Sequence, residues 1–153
     1  MKKLGLVLLV LLVFTVLAAQ VAKAETNDNY YLNADTRTIW DERMLTQYPD
    51  VAYIHVGNNV DRFIVEIESG TNGPLDMTIL SPTGVTVYDL YDTSPDQHDL
   101  KKLITTKRYG TGVYTVKVFH ANTANIGYTI TIKGPNAIGL GESDGGCNLP
   151  CTK

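Results

Sequence analysis

Asp61-Arg-Phe-Ile-Val-Glu-Ile-Glu68 is the stretch that decides the fold. Phe63, Val65 and Ile67 fall on one face of an extended chain, and Arg62, Glu66 and Glu68 fall on the other. This is the period of two of a strand with one buried and one wet face. Working outward, the same period appears in Val51-Ala-Tyr-Ile-His-Val56 and Leu75-Asp-Met-Thr-Ile79, then in Val85-Thr-Val-Tyr88. Leu100 to Thr106 reads as extended. Gly112-Val-Tyr-Thr-Val-Lys-Val118 and Gly127-Tyr-Thr-Ile-Thr-Ile132 complete the set. Turn clusters separate these segments: Gly57-Asn-Asn59, Ser69 to Pro74, and Ser81-Pro-Thr-Gly84. Short alternating strands at such spacing predict an all-β chain folded as an antiparallel sandwich or barrel. No helical period of ten residues lies between them, which excludes a parallel α/β sheet.

The flanks differ in character. Lys2 and Lys3 precede an apolar run from Leu4 to Ala19, and Ala22-Lys23-Ala24 supplies small residues at the −3 and −1 positions of a cleavage site. Residues 1–24 therefore read as a secretory signal peptide, with a retained anchor as the alternative. The expected location is extracellular, cell-surface or periplasmic. Residues 25–49 read as an N-terminal arm: Thr38 and Asp41 suggest a capping box, and Ile39/Trp40 with Met44/Leu45 stand at helical spacing. A short helix or an irregular arm fits this segment, ending at Pro49. The sandwich is expected over 50–135. From 136 to 153 the chain turns Gly-rich and ends in Cys147-Asn-Leu-Pro-Cys151, whose C-x3-C spacing matches no redox or haem motif. In an oxidising compartment a local disulfide between Cys147 and Cys151 is the expected use.

Asp61-Arg-Phe-Ile-Val-Glu-Ile-Glu-Ser-Gly70, Leu75-Asp-Met-Thr-Ile-Leu-Ser-Pro-Thr-Gly84, Gly110-Thr-Gly-Val-Tyr-Thr-Val-Lys-Val118 and Tyr128-Thr-Ile-Thr-Ile132 follow one another in an order that resembles the bacterial pre-peptidase C-terminal domain family. Gly112-Val113-Tyr114 stands where that family usually has Gly-Thr-Tyr. The resemblance implies a jelly-roll-like β-sandwich that accompanies secreted enzymes, often peptidases, and has no catalytic residues of its own.

Charge narrows the partners. The chain of 153 residues has 13 basic and 16 acidic side chains, a net charge of −3. With Lys2, Lys3 and Lys23 set aside, ten basic residues face 16 acidic ones. An acidic body without a basic stripe argues against nucleic acid and against an anionic membrane surface. Stable membrane insertion after signal cleavage is not expected either. An extracellular protein or polysaccharide is the expected partner.

The search for chemistry finds little. His55 and His120 border strands, His98 lies in an acidic loop, and there is no Gly-x-Ser-x-Gly, His-Glu-x-x-His or phosphate-binding glycine loop. The chain is not expected to be an enzyme. Asp89, Asp92, Asp96 and Asp99 form the candidate metal constellation, with Ca²⁺ the cation such a loop would take. A solvated turn using Asp for local hydrogen bonds is the favoured reading of this loop, Ca²⁺ binding is the alternative, and no cofactor is expected. Trp40, Tyr88, Tyr91 and Tyr109 are the candidate ligand-binding aromatics, as sugar-stacking platforms or interface anchors. The leading functional expectation is a secreted, non-catalytic binding or accessory module. A structural surface or filament subunit, joined through sheet edges or the terminal arms, is the alternative. A small hydrolase with an unrecognised site is a third reading.

Overall fold

The computed structural model describes residues 28–46, 49–69, 75–90, 99–120 and 125–139. The expected signal segment, Tyr91, Asp92, Asp96, His98, Cys147 and Cys151 lie outside the described residues. Among the described residues nine strands form two sheets: β1 (Asp28–Leu32), β2 (Thr38–Leu45), β3 (Asp50–Val56), β4 (Arg62–Ser69), β5 (Asp76–Leu80), β6 (Thr86–Leu90), β7 (Asp99–Thr105), β8 (Gly112–Phe119) and β9 (Ile126–Lys133). One sheet has the order β1-β3-β8-β5-β6 and the other β2-β9-β4-β7. The expected sandwich is present. Among the described residues no helix is long and apolar enough to cross a membrane.

The alternating residues meet between the sheets. Phe63, Val65 and Ile67 of β4 pack with Ile130 and Ile132 of β9, and with Ile54, Ile79, Tyr114 and Val116 of the facing sheet. Phe63 and Tyr114 make an edge-to-face pair with centroids 5.0 Å apart at 76°, a favoured aromatic geometry. The Tyr114 hydroxyl donates to the Gly110 carbonyl at 2.5 Å, tying the turn before β8 to the core. On the outer face of the four-stranded sheet, Glu66 of β4 bridges Lys133 of β9 at 3.0 Å and Lys101 of β7 at 3.1 Å. The Ser81-Pro-Thr-Gly84 turn closes as its residues require: Gly84 has φ +79° and donates its N–H to the Ser81 carbonyl at 2.9 Å.

Three expectations are corrected. Within the expected arm, the described residues 28–46 form no helix; they supply β1 and β2, one strand to each sheet. Arg43 and Leu45 are buried while Trp40, Glu42 and Met44 are exposed, so β2 alternates as a strand does. The sheets are also not wholly antiparallel. β1 pairs with β3 in parallel, Asn29 opposite Tyr53 and Tyr31 opposite His55. The chain leaves β1, crosses to the other sheet as β2, and returns as β3 in the original direction; a parallel pair needs such a crossover. Finally, the ordered body runs past 135. A short 3-10 turn at Pro135–Ala137 follows β9, Asn136 Nδ2 donates to the Ala34 carbonyl at 2.9 Å, and Ile138 is buried.

Gly134 explains why the β1–β2 linker and the end of β9 fit together. Its N–H donates to the Arg37 carbonyl at 2.7 Å. A Cβ at this position would sit 2.2 Å from the Thr36 carbonyl oxygen, so only glycine allows the two backbones so close.

Candidate binding face

The sequence candidates are dispersed by the fold. Trp40 is 61% exposed on the outer face of β2. Tyr88 faces the interior and is buried; Lys102 Nζ lies 5.6 Å from its ring centroid. It is therefore no exposed platform, because its register opposite Ile79 turns it inward. Tyr109 lies in α1, a single turn at Thr106–Tyr109, half-buried against the core with the Arg108 guanidinium 5.0 Å from its ring. These three rings share no surface. Asp89 lies in β6, where the Thr78 hydroxyl donates to it at 2.6 Å, and Asp99 opens β7 opposite Glu68. Two of the four loop aspartates are thus strand residues. Among the described residues no group of three or more His, Cys, Asp or Glu is placed to hold a metal.

The fold instead assembles an aromatic face from residues not singled out as ligand-binding in the sequence. In β3, Ala52, Ile54 and Val56 point inward, so Val51, Tyr53 and His55 point outward. Parallel pairing of β1 sets Tyr31 beside His55 and Asn29 beside Tyr53, and antiparallel pairing of β8 adds Val113 opposite His55 and Thr115 opposite Tyr53. Tyr31 and His55 stack with centroids 4.5 Å apart and rings 14° from parallel. His55 Nε2 donates to Asn29 Oδ1 at 2.8 Å, which fixes the imidazole plane under the tyrosine. Tyr31 remains 68% exposed and Val113 40% exposed. A held aromatic ring loses little rotamer freedom when a ligand covers it. His55 here is a support for a ring, with an amide rather than a nucleophile as its partner.

Behind this face, the β1 and β2 side of the sandwich is closed by a polar clasp. Arg43 Nη2 donates to Asp28 at 2.8 Å and to Asp50 at 2.7 Å. The Tyr128 hydroxyl donates to Asp50 at 2.6 Å, and the Tyr30 hydroxyl to Asp41 at 2.7 Å. Burial alone would lower the pKa of Arg43, but Tyr128, Asp50, Tyr30 and Asp28 outweigh it and hold the guanidinium above its ordinary value. Burial, followed by the hydrogen bonds to Asp50 and Asp41, raises Tyr128 and Tyr30 well above the usual phenol range. The clasp ties β1 and β3 of one sheet to β2 and β9 of the other, which seats the edge strand carrying Asn29 and Tyr31.

At the end of the sandwich, a shallow depression is lined by Arg62, Lys107 and Arg108 with Asp61 and Thr105. Three of its five lining residues are basic.

No protein-family model matches the chain, and no curated protein matches it in sequence. Among solved structures it is similar to the pre-peptidase C-terminal domain of a Bacillus anthracis collagenase, with a TM-score of 0.50 and 11% identity over 72% of this chain and 98% of that one. It also matches a periplasmic inhibitor of g-type lysozyme from Aeromonas hydrophila (TM-score 0.47, 10% identity, 72% and 99% covered). A Bacillus endospore appendage of a family of disulfide-linked pili follows (TM-score 0.34, 16% identity, 67% and 92% covered). At such identities the likeness is one of fold, and the first of these structures carries it.

Proposed function

We propose that this chain, which has the β-sandwich fold of the pre-peptidase C-terminal domain, is a secreted, non-catalytic module that binds an extracellular polymer or partner protein through the outer face of its five-stranded sheet. The observation that carries this reading is Tyr31: a ring 68% exposed, yet stacked flat on the His55 imidazole, which is itself bonded to Asn29. A face of this kind, with Tyr53 and Thr115 beside it, offers an apolar surface edged by hydroxyls. Sugar rings and aromatic-rich protein interfaces both use that chemistry. The apolar leader followed by Ala22-Lys23-Ala24 supports export. The test is co-sedimentation with insoluble polysaccharides, collagen and cell-wall fractions, with chemical crosslinking in culture. Retention on one of these is the expected result; absence from every pellet and no crosslinked partner would refute the reading.

A second reading, a subunit that assembles through sheet edges, is favoured by one observation. β1 and β2 are both outermost strands of their sheets and lie on the same side of the sandwich.

A further inference from the structure

The edge of β2 has a residue pattern that fits a second copy of itself. It is the longest outermost strand, eight residues against five in β1, five in β6 and seven in β7. Two of the other edges are guarded. β6 meets β5 through an irregular step at Ile79/Leu80. In β7, Lys102 stands opposite the inward-facing Val65 and lies over Tyr88; an inward-pointing charge is a standard way to blunt an edge. β2 instead presents Trp40, 61% exposed, and Met44, 56% exposed, four residues apart on one outer face. Among the described residues its only strand partner is β9. Its inward charge, Arg43, is already neutralised by Asp28 and Asp50.

We propose that two copies pair their β2 strands antiparallel about a two-fold axis through Glu42, so that Trp40 of each packs on Met44 of the other. The register follows from the pleat. A two-fold axis passing between residues would set inward side chains opposite outward ones, whereas an axis through a residue keeps each face continuous. With the axis at Glu42, Trp40 faces the partner's Met44, Asp41 faces the partner's Arg43, and Ile39 faces the partner's Leu45. Moving the axis to Asp41 or Arg43 sets identical residues against each other on the inner face and takes Trp40 away from the partner's Met44. At Glu42 the like charges meet on the wet face, at a smaller cost. The arrangement joins two four-stranded sheets into one of eight strands, with both open edges consumed.

This interface rests on the second reading above and is independent of ligand binding at Tyr31. The test uses the purified protein in light scattering across a concentration series. A concentration-dependent dimer is expected, weakened about tenfold or more by Trp40→Lys, which removes both cross-strand pairs. Glu42→Gln is expected to tighten it, because the repulsion on the axis is gone. Both positions are exposed, so circular dichroism should show unchanged folding. Mild oxidation of Glu42→Cys should link the two introduced thiols to each other, identified by peptide mapping and so separable from any link through Cys147 or Cys151. A concentration-independent monomer for the parent and for Glu42→Gln would overturn the proposal. So would an assembly indifferent to Trp40→Lys with no link at position 42, although that outcome would leave assembly through another edge standing.

Discussion

Arg43→Met tests the polar clasp between the sheets. The Arg43 side chain is 4% exposed and holds Asp50, 11% exposed, and Asp28, 41% exposed. Methionine keeps most of the stem volume, so the packing loss is small. What remains is a buried Asp50 carboxylate whose other bond on this side is the Tyr128 hydroxyl. Removing one partner of a buried ion pair costs about 3–5 kcal/mol. The Asp28 arm is half exposed and adds less than about 1 kcal/mol. The low end, about 3 kcal/mol, is therefore the expectation, or roughly 10 °C in Tm for a domain of this size. Urea melts should show a lower midpoint at unchanged slope. Adding Asp50→Asn to Arg43→Met removes the stranded charge and should recover about half of the loss, a coupling of order 1–2 kcal/mol in a double-mutant cycle. A loss below about 1 kcal/mol for Arg43→Met would refute the reasoning. Additive single variants would also refute it, since the clasp would then not be a unit.

Further expectations concern the same scaffold. Gly134→Ala should destabilise by about 1–3 kcal/mol, because its Cβ would press on the Thr36 backbone; an unchanged melt would show that the β1–β2 linker is free to move. Truncation after Pro135 should lower stability by about 2–3 kcal/mol through loss of buried Ile138 and the Asn136 bond, whereas truncation after Gly139 should leave the melt close to the parent; equal melts for the two would refute this. Burial pushes the Tyr114 phenol up to about 12, and Tyr30 and Tyr128 are also raised. A raised folded pKa keeps the proton on in the folded state, so stability is intact below pH 10 and lost as pH rises above it, by up to about 1.4 kcal/mol per pH unit per tyrosine. A pH-stability profile flat from 9 to 12 would contradict that.

Most of the strands from β3 to β9 were legible because apolar and polar residues alternate along them, β7 being the exception, with Lys102 turned inward opposite Val65. β2 was not, because its polarity is inverted. Asp41 and Arg43 point inward into the clasp, while Trp40 and Met44 point out. The spacing of its apolar residues then imitates a helical stripe. β1 was hidden by Tyr30 and Tyr31 side by side, one inward and one outward, which erases the alternation. The Tyr31–His55 face was missed for a related reason. Tyr31 and His55 are 24 positions apart in the chain, and they meet through a parallel pair that periodicity within one segment does not reveal. Tyr88, in contrast, was assigned to an exposed set although its own strand turns it inward; the bulge beside Leu80 shifts the alternation there.

The most direct measurement is co-sedimentation of three proteins in parallel on the polymer or cell-wall fraction that retains the parent: the parent itself, Tyr31→Ala, and Thr129→Ala. Tyr31 removes the exposed ring from the five-stranded sheet, while Thr129 lies on the outer face of the other sheet, opposite Glu68. Loss of one aromatic anchor should weaken binding by about 2 kcal/mol, some thirtyfold. The expected result is that Tyr31→Ala stays in the supernatant while Thr129→Ala sediments with the parent. Equal retention of all three would contradict the assignment of binding to this face.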